Sequence, residues 1–346
     1  MCGIADWIAL ELTGELLMEE TLAVESGLGL LASGEPARAL ASAFNLGDIQ
    51  LPATCPSGTV VGTLKKKFSD PLGLPKNTPI VACGPDAQSG LGGLGAQLPN
   101  VIGINSGWTT FCQRITERPV FDDTRAMWTG RHVIENRWVL EGSSGDTGST
   151  FQWLISLLYG SLDNKEVMKE FDEQLGDIEP GSNEITAFLG PSFIHPANTD
   201  VRSGGLMFPV SISLEPPDRI DIARAALDNF AFAIRYNIER LNSFRGPALN
   251  IAVGGGMIRT NTFRTILANV LDCEIGIAES GEETTALGTL SQVAASLDMG
   301  ASLAEYAAIR ATELTMYEPD TTYSGIYESL YTGWPHKERL LDSFDL

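Results

Sequence analysis

The sequence predicts an α/β protein built on a mixed sheet, with α+β as the neighbouring alternative, and three observations carry that expectation. Apolar stretches flank a tight Asn105-Ser106-Gly107 turn in VIGINSGWTTFCQRI, the signature of a β-hairpin. LNIAV (249–253) reads as a strand that runs straight into three consecutive glycines. DIARAALDNFAFAIRYNIERL repeats Ala223, Leu227, Phe230, Ile234 and Leu241 at steps near three and four, a stripe that faces a core. Hairpin strands followed by strands alternating with helices require a mixed sheet.

In chain order, residues 5–17 are predicted helical, ending near Gly14, and 35–43 form another short helix. VVGTL (60–64) reads as a strand, DPLGLPKNTP (70–79) as a loop, and IVAC (80–83) as β-rich. GPDAQSGLGGLGAQ (84–97) is a turn running into a small-residue helix. RHVIENRWVLEG (131–142) continues the strands, and helix returns at FQWLISLLYG (151–160). After the glycines, TFRTILANVL (262–271) is helical, CEIGIA (273–278) a strand and EETTALGTLSQVAASL (282–297) a final small-residue helix. The remainder, to Leu346, is expected to be helical with a frayed tail. A break at AQLPN (96–100) is the expected domain boundary.

Composition narrows the classes. The 346 residues are 43% hydrophobic and carry 44 acids against 23 bases, a formal charge of −21 that repels nucleic acid and anionic lipid. Solubility accounts for that charge better than an acidic recognition surface. No apolar run reaches the roughly 18 residues of a membrane span, and the first twenty residues carry Asp6, Glu11 and Glu15 in place of a basic leader. A soluble, cytoplasmic protein is expected. Five scattered cysteines with no C-x-x-C and three histidines argue against disulfides and a zinc site.

Three stretches join a strand end to a glycine-rich turn: Gly84-Pro85-Asp86, Asn105 to Thr110, and Gly254-Gly255-Gly256. Such turns expose successive N–H groups that suit phosphate. Each alone is better explained by ordinary turn chemistry, and Asp86 alone by a turn or helix-cap role. None is a Walker A motif or a dinucleotide fingerprint.

Their order changes that balance. ADWIALELTGE, PSGTVVGTL, PIVACGPDAQSGLGGLGA, VIGINSGWTTF, DNFAFAIRYNIERL, and IAVGGGMIRTNTFRTILANVLDCEI with EETTALGTL resemble, in sequence, successive segments of the FGGY carbohydrate kinases of the actin and hexokinase-like superfamily. Within the family, WVLEGSSGDTGSTFQWL and Trp108 are most similar to autoinducer-2 kinases and xylulokinase-like members.

The resemblance implies a ribonuclease H-like fold whose mixed sheet is flanked by helices. It also implies ATP-dependent, Mg²⁺-assisted phosphorylation of a sugar or polyol hydroxyl in a cleft between two lobes. Residues 1–98 would be the closing part of the first, sugar-binding lobe, 99–298 the nucleotide-binding lobe and 299–346 a helical tail. Asp86 falls on the family's catalytic base. Ser106, Gly107 and Thr109 would approach the β- and γ-phosphates through N–H and hydroxyl groups, and Gly254, Gly255 and Gly256 would pack against the adenosine and α-phosphate. Thr260 and Asn261 would cap the next helix or reach the base, capping being the stronger expectation. The small residues Thr285-Ala286-Leu287-Gly288 let their helix pack closely behind the nucleotide. His195 reads as a surface-loop histidine ahead of a catalytic one.

Two departures stand against the family pattern. The hairpin has Asn-Ser-Gly-Trp where the family has a Gly-Thr-Ser type of turn, and the family's opening Asp-x-Gly-Thr turn does not occur in these residues. The expectation is therefore one complete lobe plus part of another, with an unpaired sheet edge and an uncovered apolar face that self-association into a homo-oligomer could cover. Two readings follow: a sugar kinase, or a catalytically incompetent remnant that binds nucleotide or serves as an interaction module.

Overall fold

The computed structural model describes residues 1–98, 100–160, 165–190, 204–209, 216–278 and 283–342. His195 lies outside them.

The first stretch contains α1 (Ile4–Thr13), β1 (Leu17–Glu19), α2 (Glu20–Glu25), α3 (Arg38–Ala43), β2 (Ala53–Cys55), β3 (Thr59–Thr63), α4 (Lys66–Leu72), β4 (Pro79–Ala82) and α5 (Asp86–Gly93). Its strands form two separate pairs, β1 with β2 in parallel and β3 with β4 antiparallel. Helix α1 turns Asp6 inward, where it accepts the Gly3 N–H, and leaves Ile4, Trp7 and Ile8 exposed. Residues 70–72 of the expected 70–79 loop are instead the last turn of a helix, with Pro71 carried inside α4.

The second stretch begins with β5 (Val101–Ser106), β6 (Thr110–Thr116), β7 (Trp128–Arg131), β8 (Trp138–Gly145), α6 (Thr147–Tyr159), α7 (Lys165–Gly176), β9 (Thr186–Phe188), β10 (Gly205–Met207) and α8 (Arg219–Arg245). It closes with β11 (Asn250–Gly254), α9 (Asn261–Leu271), β12 (Ile275–Ile277), α10 (Thr284–Ser296), α11 (Leu303–Ala311), β13 (Thr315–Tyr317) and α12 (Thr321–Asp342). Seven of these strands make one sheet in the order β13-β12-β11-β5-β6-β8-β7. Strands β5, β11 and β12 run parallel, while β6, β8, β7 and β13 join antiparallel, so the sheet is mixed as predicted. The segment after residue 297 is not wholly helical: β13 closes one edge, pairing Met316 with Gly276.

Each face of the sheet is covered by helices. On one side α8 buries Ala223, Leu227, Phe230, Ile234 and Leu241 against Ile104, Leu140 and Val253, and Asn237 of α8 fills the space above Gly142 of β8. On the other side Leu91 of α5 and Ala96 occupy the space above Gly103 of β5, and α10 crosses α5. At the crossing, Gly93 meets the Thr284 backbone and Gly288 meets the Ser89 backbone. This contact ties α5 to the glycine-rich end of β11.

Candidate active site

The cleft that the fold produces is walled by α6, α7, the β5–β6 hairpin tip and the turn after β11, and encloses about 940 Å³. One wall is apolar, from Phe151, Ile155, Met168, Phe171 and Met257; Gln152, Ser156 and Thr260 add polar groups, and Arg259 is its charged lining residue. At the opposite end stand Asn105, Gly107, Trp108, Gly255, Gly256, Thr284 and Thr285.

The three glycines are required for different reasons, and contact with a ligand is the reason for at most one. A side chain on Gly254 would strike Leu94, 2.6 Å from its Cδ2, and Thr284. Gly255 has φ of +102° and lies on the backbone of Ser106, so both its conformation and its neighbour exclude a Cβ. Gly256 has open space around its Cβ position and faces the cleft. The expectation that all three make room for a nucleotide is corrected accordingly: Gly254 makes room for α5 and α10, and Gly255 for the neighbouring strand.

The hairpin differs from expectation in the same way. Ser106 is fully buried, its hydroxyl 2.9 Å from that of Thr110, which in turn lies 2.6 Å from that of Thr147. This hydroxyl chain staples β5 to β6 and to the first turn of α6, turning the Ser106 side chain away from the cleft. Thr109 accepts the Gly107 N–H with its carbonyl oxygen, closing the turn. Gly107 lines the cleft, together with Asn105 and the largely exposed Trp108, which the sequence reading did not assign to it.

Thr260 occupies the N-cap position of α9, but its side chain makes no capping bond, and its hydroxyl donates to the Met257 carbonyl at 3.4 Å. Asp172 of α7 caps the helix instead, accepting the N–H of Asn261 at 2.9 Å and of Thr262 at 3.3 Å. A carboxylate from a neighbouring helix replaces the local cap because α7 passes across the N-terminus of α9. Thr260 lines the cleft; Asn261 lies away from it, its side-chain Oδ1 accepting from the Arg264 guanidinium at 3.5 Å.

Asp86 opens α5 and is exposed, with one carboxylate oxygen accepting the N–H of Ala87 at 2.8 Å. Thr285, on the cleft wall, donates its hydroxyl to the Asp86 carbonyl at 3.4 Å. That bond sets the main chain at the start of α5 beside Thr285, at the α10 end of the cleft, while Asp86 is not among the residues that line it.

A second carboxyl faces the same side of the sheet. Glu141 of β8 pairs across the ladder with Gln113 of β6, which pairs with Gly103, and Gly103 looks toward α5. The Gln113 amide donates to Glu141. Burial, and secondarily the charge of Asp86, push the Glu141 carboxyl up from 4.5 to about 7, against the lowering effect of Gln113. Because the folded state holds this proton more tightly than the unfolded chain, the stabilisation is present below about pH 4.5 and is lost as the pH rises through about 7. Glu141→Gln keeps an acceptor for Gln113 and removes the titration. Its melting temperature relative to the native chain is expected to rise between about pH 5 and about pH 8, measured by thermal denaturation of both proteins; a pH-independent difference would remove Glu141 as the source.

Among the described residues no group of three or more His, Cys, Asp and Glu side chains converges as a metal cage, and none of their helices is long and apolar enough to cross a membrane.

Two unequal parts, joined by a glycine-mediated helix crossing beside a glycine-floored cleft, make an actin and hexokinase-like fold. The chain belongs to the FGGY family of carbohydrate kinases: residues 1–93 match the model of the family's N-terminal domain and residues 104–297 that of its C-terminal domain. It is 27% identical over 289 residues to YoaC of Bacillus subtilis, which carries a provisional sugar kinase name, an alignment covering 83% of this chain and 57% of that protein. It is 25% identical over 323 residues to an autoinducer-2 kinase of Salmonella typhimurium, covering 87% of this chain and 58% of that one. The chain thus spans somewhat over half the length of these relatives. Among solved structures, the ligand-bound xylulose kinase from Lactobacillus acidophilus has TM-score 0.82 at 18% identity, over 99% of this chain and 68% of that one. Plasmodium falciparum glycerol kinase with ADP has TM-score 0.79 at 17% identity, over 99% and 67%. These likenesses establish the sugar kinase fold.

The α6–α7 wall and Arg259 were missed in the sequence. The stretch KEVMKEFDEQLG carried a usable signal, since Val167, Phe171 and Leu175 recur at steps of four.

Proposed function

We propose that the chain carries out ATP-dependent phosphorylation of a hydroxyl on a small sugar or polyol, in the cytoplasm. The observation that carries this reading is the placement of Asp86 at the start of α5, beside a 940 Å³ cleft bordered by Gly107, Gly255 and Gly256. Family membership supports the reaction class, and the ADP of the glycerol kinase neighbour supports a nucleotide in the corresponding space.

In this reading the base lies along the apolar wall of Phe151, Ile155 and Met257, the phosphates reach Gly107 and Gly256, and Arg259 offsets part of their charge. Thr260 borders the base, while Ser106, Thr109, Gly254 and Asn261 support the site from behind. The Asp86 carboxylate accepts the proton of the attacking hydroxyl, and alignment of acceptor and phosphate supplies most of the rate. Magnesium is held in such sites mainly by substrate phosphates with one or two carboxylates, and it would neutralise phosphate charge here. No observation favours the alternative of an incompetent remnant.

The test is ADP formation by the purified chain with Mg-ATP across pentuloses, polyols and the autoinducer-2 precursor. Acceptor-dependent ADP is the expected result and would name the sugar class; silence from folded protein across the panel would overturn the reading.

A further inference from the structure

Among the described residues Asp86 has no side-chain partner that aims it. Its carboxylate bonds only to the N–H of the next residue, and the N-cap of α5 is Pro85, which contributes no side-chain cap. The direction of the carboxylate is therefore the direction of the first turn of α5, and what fixes that turn fixes the base.

Two buried glutamines hold it. Gln88, two residues after Asp86 and fully buried, donates its amide N–H to the Arg131 carbonyl at 2.7 Å and accepts the Val133 N–H at 2.9 Å. Both partners are main-chain groups flanking the end of β7, and that end is itself anchored: the Arg131 guanidinium bonds Glu20 and the Ala32 carbonyl, each at 2.9 Å. From the other side Gln292 of α10, also buried, accepts the Gly84 N–H at 3.2 Å and the Ser57 hydroxyl at 2.7 Å, and donates to the Ser89 hydroxyl at 3.0 Å. An amide is the side chain that can donate to one main-chain group and accept from another, and a buried amide deprived of its partners is costly.

We propose that Gln88 is a positioning residue for the base. By pinning the first turn of α5 to main-chain groups after β7, it sets the aim of Asp86 without touching nucleotide or acceptor, and Gln292 braces the same turn from α10. The inference rests on the reading of Asp86 as the base.

The test uses the full chain and two variants. Gln88→Leu removes both main-chain hydrogen bonds, and the 3.5 Å bond to Glu25, at similar volume; Gln88→Glu keeps the volume and the acceptor for Val133, loses the donor to Arg131 and sets a carboxyl against Glu25, and serves if the leucine variant does not fold. The first readout is amide exchange, which is independent of turnover. Faster exchange confined to residues 84–93 and 131–135, with protection of β5, β6 and β8 unchanged, is expected; unchanged exchange, or protection lost throughout the sheet, overturns the proposal. The second readout is kinetic. A misaimed base is expected to lower kcat by about 10²-fold with KM for ATP and ATP affinity unchanged, and a local exchange effect with native kcat overturns the positioning role. If the native chain itself forms no acceptor-dependent ADP, the kinase reading fails, while the exchange result still decides whether Gln88 holds the turn.

Discussion

Asp86→Asn is expected to lower acceptor-dependent ADP formation by about 10²- to 10⁴-fold, the range a positioned general base supplies, and to leave nucleotide affinity unchanged. The amide has the size of the carboxylate and can still accept the Ala87 N–H, the one hydrogen bond the Asp86 side chain makes among the described residues, so the turn should keep its form. What it cannot do is take a proton from the attacking hydroxyl. The cleft that would bind the nucleotide is built from other residues, the hairpin tip, the turn after β11 and the α6–α7 wall, which is why binding should survive. A coupled ADP assay and calorimetric titration with a non-hydrolysable ATP analogue separate the two quantities. Turnover equal to the native chain would take Asp86 out of the mechanism, and lost binding would mean that it serves the nucleotide instead.

Gly288→Ala is expected to produce the largest stability loss of any single methyl added to this chain's α5–α10 crossing. A Cβ at that position falls within the carbonyl of Ser89 and 2.8 Å from the Gly93 nitrogen. These are backbone atoms of a helix, so no rotamer change relieves the clash, and the helices must separate. Overpacking of this kind costs about 3 kcal/mol, or a fall in melting temperature of roughly 4 °C for a chain of this length. Because Gln292, one turn further along α10, holds Gly84 and Ser89 beside Asp86, separation should also disturb the base turn. Scanning calorimetry with the ADP assay measures both effects. A melting temperature within a degree of native would show that the crossing is loose and that small residues there are incidental.

Much of the architecture was legible in the sequence where local pattern and tertiary demand coincide. The stripe of Ala223, Leu227, Phe230, Ile234 and Leu241 could only be one face of a helix, and all five are buried. The hairpin around Asn105-Ser106-Gly107 and the strand before the glycines were readable because apolar runs of strand length met residues that turn. Asp86 was readable as the start of a helix after a strand. Most of the shortest elements were not: the three-residue strands β1, β2 and β13 carry too few residues for a period to show, unlike β12, which sits in the apolar run CEIGIA, and β13 exists because β12 offers it an edge.

Residue type and order along the chain by themselves determined that this protein has a mixed sheet, a long central helix and several glycine-rich strand ends, since backbone freedom and hydrophobic period are local properties. Which glycine faces what was decided only by the tertiary structure. Gly254 and Gly255 answer to α5, α10 and β5, elements brought beside them by sheet order, and Gly256 alone of the three is left facing open space. Ser106 became a staple and Asp172 a cap for the same reason: a hydrogen bond goes to whichever partner folding places within reach, and for a buried hydroxyl or a helix N-terminus that partner can lie ninety residues away.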